Sequence, residues 1–136
     1  MKSILSSLFG NKGKSENNGF SLRANYKNYE RHIVTLDLIA EVIAYVEEKS
    51  VQGMDEFAVL NNNETKHYVQ CIFIDDAFLV QLSIDIGNGY AKLVEKGNLS
   101  DKEVISMFSD FFESNDVDTT GFTDMEMIGR ENKFKL

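Results

Sequence analysis

The sequence predicts an α+β domain: an antiparallel meander sheet of four to five strands with two main helices packed on one face. Three observations carry that expectation. The stretch from His67 to Asp85, HYVQCIFIDDAFLVQLSID, sorts into two alternating arms around Asp75-Asp76. Residues 35–49 and 100–114 repeat their apolar side chains at helical spacing and carry recognisable end signals. An Asn88-Gly89 pair follows the first hairpin and marks a second tight turn.

Met1 to Gly10 gathers Ile4, Leu5, Leu8 and Phe9 into a short amphipathic stretch, and residues 11–19 are polar and rich in Asn and Gly. Residues 1–19 are therefore read as a flexible N-terminal segment, and 20–136 as a single α+β domain. Residue 2 is Lys, so the myristoylation pattern is missing, and four apolar residues give only marginal membrane affinity. No apolar run approaches the ~20 residues that span a bilayer, and membrane association is not expected. In residues 20–34, Tyr26, Tyr29 and Ile33 sit at i, i+3 and i+7, compatible with a helical turn but with no firm assignment.

Residues 35–49, TLDLIAEVIAYVEEK, form the first helix. Thr35 caps it, Asp37 and Lys49 complement the dipole at its two ends, and Gly53 stops it. Leu36, Ile39, Ile43 and Val46 make its apolar stripe, with Asp37, Glu41 and Glu48 opposite. Residues 56–60 read as a short strand with Phe57 and Val59 on one face and Ala58 and Leu60 on the other.

Within the organising hairpin, a two-residue turn sets Phe73 opposite Phe78, Cys71 opposite Val80 and Val69 opposite Leu82 as the inner face. Gln70 with Gln81, Tyr68 with Ser83 and Ile72 with Leu79 form the outer face. A one-residue slip would put one arm's apolar set in water, so pattern and register agree in only one way. Continuing across Asn88-Gly89 sets Ile84 opposite Leu93, Asp85 opposite Lys92 and Ile86 opposite Ala91.

The second helix begins with a Ser100–Glu103 capping box and a Leu99–Val104 staple. Val104, Phe108 and Phe111 form its buried face, flanked by Ile105 and Phe112. Residues 115–121 are a loop, 122–128 alternate like an edge strand, and the closing GRENKFKL reads as frayed.

A single cysteine excludes an internal disulfide, and with no secretory leader apparent a reducing cytoplasmic location is expected. The net charge of −8 is uneven. Residues 1–34 hold six basic and two acidic side chains, and the remaining 102 hold eight and twenty. An acidic body repels phosphates and steers basic partners, so no nucleic acid is expected. Three basic groups around Tyr26 and Tyr29 do not alter that.

Catalytic patterns are not apparent. His32 and His67 lack partners at metal-ligand spacing, and Cys71 falls on the core face, where a thiol is a poor nucleophile. Asp75-Asp76 is explained by its turn, and the glycines around Asn88 by theirs. No cofactor or metal is expected.

The acidic group Asp101, Glu103, Asp110, Glu113, Asp116, Asp118, Asp124 and Glu126, balanced by Lys102 alone, reads either as an ordinary solvated face or as a surface for a basic protein. Partner-binding residues are expected at Asp101, Asp110, Glu113, Asp116 and Asp118. Ile72, Ile74 and Leu79 join them, because that outer sheet face is more apolar than a solvated one needs to be. From size, charge and element order, the expectation is a non-enzymatic, small acidic protein-binding domain of bacterial type. An immunity protein or antitoxin that occludes a basic partner is the leading form, and a secretion-chaperone-like or regulatory adaptor localised by its N-terminal segment is the alternative. Homodimerisation through a sheet edge, either residues 56–60 or 122–128, or through the outer face is a further expectation.

Overall fold

The computed structural model describes residues 19–29, 32–125 and 132–135. In chain order these form β1 (Phe20–Ala24), α1 (Leu36–Val51), β2 (Phe57–Asn62), β3 (Tyr68–Ile74), β4 (Ala77–Gly87) and β5 (Tyr90–Leu99). They continue with α2 (Asp101–Ser114), β6 (Thr123–Asp124) and β7 (Lys133–Lys135). The fold is α+β, with both helices contacting one antiparallel meander-like sheet. The apolar stretch of residues 4–9 and the second half of the 122–128 segment lie outside the described residues.

The β3–β4 hairpin has the register its sequence predicts, from Val69↔Leu82 through Cys71↔Val80 to Phe73↔Phe78. Asp75 and Asp76 both adopt positive φ, at 55° and 64°. That pair of left-handed residues is what a two-residue turn of matching twist requires.

Both helices are capped as expected. The Leu38 N–H donates to Thr35 Oγ1 at 3.1 Å, and α2 carries a complete Ser100–Glu103 capping box. Ile39, Val42, Ile43 and Val46 of α1 and Val104, Phe108 and Phe111 of α2 are buried. Together with the inner face of the sheet (Leu22, Leu60, Val69, Cys71, Phe78, Val80 and Leu82) they make one core. Leu36 departs from the predicted stripe: it lies at the first turn of α1 and is 42% exposed.

Four expectations need correction. The sheet has seven strands. The extra strand at its start is β1, in a segment whose tyrosine spacing suggested a helical turn. Leu22 and Ala24 enter the core opposite Leu60 and Ala58, so non-local pairing decides the conformation there. β1 thereby covers residues 56–60, which are internal and offer no edge.

The closing residues are not all frayed, because Lys133–Lys135 pair with Tyr90–Lys92 of β5, while β6 pairs with Val94 and Glu95.

The fourth correction concerns the β4–β5 register. Gly87↔Tyr90 and Phe78↔Leu99 keep the predicted register, but between them the pairing is shifted by one. Asp85 faces Ala91, Ile84 faces Lys92 and Val80 faces Lys96. An additional residue in β4 at Ile86 starts the shift. A second one in β5, beside Asn98 at φ 57°, ends it.

Candidate functional site

Four concave regions border this frame; of the expected site residues, Asp101 lines the first and Asp116 the second, while Ile72 and Ile74 line the fourth, about 330 Å³ beside Met54 and Phe57. The first lies between the helices. α1 turns Ile39, Val42, Ile43 and Val46 inward, which leaves Ala44, Glu47, Glu48 and Val51 on its flanks. With Gln52, Asp101 and Ile105 they line a groove of about 370 Å³. Its apolar lining is Ala44, Ile105 and Val51, and Val51 is 70% exposed. Its acidic side chains are Glu47, Glu48 and Asp101. Among the described residues the two ion pairs are Lys27–Glu41 and Lys92–Asp124, so all three groove carboxylates stand without a cationic partner there.

The remaining expected acidic residues do not converge on that groove. Asp110 is nine residues beyond Asp101, about half a turn away around the helix, and with Glu113 lies on the exposed side of α2. Asp116 lines a different cavity. Asp118 is engaged within its own turn: its Oδ1 accepts from the Thr120 N–H at 3.0 Å and from the Thr120 hydroxyl at 2.8 Å. Those two hydrogen bonds hold its carboxyl below the usual aspartate range.

The second cavity, about 490 Å³, is lined by His67, Ser83, Asp85, Phe111, Asn115 and Asp116 among others. His67 and Ser83 are both buried, with His67 Nδ1 3.1 Å from Ser83 Oγ. The same Oγ accepts the Tyr68 N–H at 2.8 Å. Asp85 directs its Oδ1 to the Gly87 N–H at 2.7 Å. A nucleophilic serine needs a base free to take its proton and a third group orienting that base. Here the hydroxyl is tied to backbone, and among the described residues no carboxylate bonds the His67 ring. The arrangement satisfies buried polar groups at the end of the hairpin.

A third concavity of about 780 Å³ follows β1 and residues 25–29. Beside it, Glu56 is only 3% exposed, and its carboxylate accepts from the N–H groups of Asn25, Tyr26 and Phe57 at 2.7, 3.0 and 2.8 Å. Tyr45 hydrogen-bonds the same carboxylate, and burial together with that bond pushes its phenol up to about 12.

On the outer sheet face, Ile72 and Leu79 pair with each other and are half-buried, whereas Ile74, beside the turn, is 52% exposed. Cys71 is on the core side, and burial pushes its thiol up to about 12.

Sequence reasoning missed Glu47, Glu48 and Val51 as companions of Asp101, and Glu56 as a buried anchor. A valine outside the stripe, beside two glutamates at the end of α1, was a legible signal for the groove. Glu56 offered none, because two of its three backbone partners, Asn25 and Tyr26, lie 31 and 30 residues away.

Among the described residues, no three His, Cys, Asp or Glu side chains are arranged to hold a metal ion. No helix among them is long and apolar enough to cross a membrane. No family model, curated protein or solved structure matches this chain.

Proposed function

We propose that the chain is a small acidic, non-enzymatic protein-binding domain that seats a basic, amphipathic segment of a partner protein between α1 and α2. The role that fits is that of an immunity protein or antitoxin occluding a basic partner. The observation that carries the reading is the groove itself: exposed Val51 beside Ala44 and Ile105, bordered by Glu47, Glu48 and Asp101. An amphipathic helix binds through an apolar stripe in such a groove, and its flanking lysines and arginines would meet the carboxylates. Those charges speed encounter and disfavour acidic competitors, while burial of the valine supplies affinity.

The test compares co-purification from source cells by the wild type, by a groove variant (Glu47→Lys, Glu48→Lys, Asp101→Lys) and by a control (Asp110→Lys, Glu113→Lys). A basic protein retained by the wild type and the control but lost by the groove variant is the expected result. Equal retention by all three, or recovery of no basic protein, would overturn the reading.

A further inference from the structure

The sheet face turned away from the helices carries opposite charges at equal distances from its middle. Followed through the strand register, one row runs Arg23, Val59, Gln70, Gln81 and Glu95 from β1 to β5. The neighbouring row holds Phe57, Ile72 and Leu79. Arg23 and Glu95 each lie two strands from β3, or roughly 10 Å on either side of it. Neither belongs to an ion pair among the described residues. The Arg23 guanidinium lies 5.5 Å from the Phe57 ring centroid, which holds its charge against the sheet surface.

We propose that this face is a self-complementary interface for a second copy of the chain, related by a twofold axis running along β3. Such an axis keeps each row and exchanges positions on either side of β3. Ile72 then meets Ile72, Phe57 meets Leu79, Gln70 meets Gln70, and Arg23 meets Glu95 twice. Two sheets stacked about 10 Å apart with nearly aligned strands accept this arrangement. Five strands give a face roughly 20 Å wide. An interface of that extent is smaller than a standard one, so the dimer is weak and concentration-dependent. This face is separate from the groove between the helices.

The test is sedimentation velocity of the full chain over a concentration series reaching the millimolar range, with circular dichroism to verify folding. The wild type should shift from monomer to dimer. Arg23→Glu places Glu against Glu and Glu95→Arg places Arg against Arg, so each alone should weaken association about tenfold or more. Mixing the two single variants should restore it as a heterodimer, because both charge pairs are then opposite again. That rescue also separates loss of the interface from loss of the fold. A monomeric wild type, single variants that dimerise like the wild type, or a mixture that stays monomeric would each overturn the proposal. So would dimerisation that begins only after residues 1–18 are removed, which would assign the face to that segment. None of these outcomes bears on the groove.

Discussion

The side chain of Asn132 pairs with the backbone of Leu93, donating from Nδ2 to the carbonyl at 2.7 Å and accepting the N–H on Oδ1 at 3.2 Å. β6 covers Val94 and Glu95, and β7 covers Tyr90 to Lys92, so the amide fills the position between them like a borrowed peptide unit. Asn132→Ala leaves the Leu93 N–H without its partner and its carbonyl with the Met125 N–H alone, at 3.1 Å. Urea unfolding should show a loss of about 1–2 kcal/mol. Amide exchange at Leu93 should accelerate, and unchanged exchange would rule out this role for the side chain.

Glu56 joins the exit of β1 to the entrance of β2 by collecting three backbone donors on one buried carboxylate. Glu56→Ala strands those donors and should cost about 2–4 kcal/mol. Glu56→Gln keeps one acceptor oxygen but faces the other backbone donors with an amide group, and should fall between wild type and Glu56→Ala. A Glu56→Ala protein as stable as the wild type in urea would show that water replaces the carboxylate without penalty.

Tyr29 is buried, its hydroxyl has no hydrogen-bond partner among the described residues, and desolvation followed by the Glu41 charge pushes its phenol up to about 12. Above its ordinary value of 10.0, the unfolded chain has already released that proton while the folded chain holds it. Unfolding therefore releases protons, and stability falls as pH rises through 10 toward 12. The Cys71 thiol acts in the same direction, starting from 9.0. Tyr29→Phe should flatten the decline above pH 10. It should also raise stability at neutral pH by about 1 kcal/mol, because an unsatisfied hydroxyl leaves the core. Denaturant midpoints across the alkaline range decide both points, and an unchanged slope would dismiss Tyr29 as a source of the decline.

Asp75 and Asp76 both hold left-handed backbone in the β3–β4 turn. Glycine at the second position removes the Cβ penalty there, and Asp-Gly is a preferred pair for this turn. Asp76→Gly should raise the melting temperature while leaving capture of the proposed basic partner unchanged. Loss of capture would reassign the turn as part of the binding surface.

What the sequence disclosed was local. Two alternating arms fixed the β3–β4 register because any slip would have exposed Val69, Cys71 and Phe73. Ser100 and Glu103 announced α2 because a capping box closes within four residues. What it concealed was non-local. β1 is five residues long and becomes a strand by facing Leu60 and Ala58, while three residues, Lys133–Lys135, make β7 by meeting β5. The helix groove was half visible. Asp101 stood out in an acidic run, but Glu47 and Glu48 join it only because the two helices pack together. Arg23 opposite Glu95 across the sheet required β1 to be recognised first.

The paired irregularities of β4 and β5 set how this hairpin can change length. One additional residue at Ile86 is cancelled by one beside Asn98, so the strands leave the turn and reach Phe78 and Leu99 in step. Deleting either residue alone would rotate half of a strand and exchange its buried and exposed side chains. Deleting both together would preserve the pairings of Leu82 with Val94 and of Phe78 with Leu99. Over evolutionary time such a hairpin should gain and lose these two residues jointly, passing from a coiled, bulged ribbon to a regular one without an intermediate of single length change.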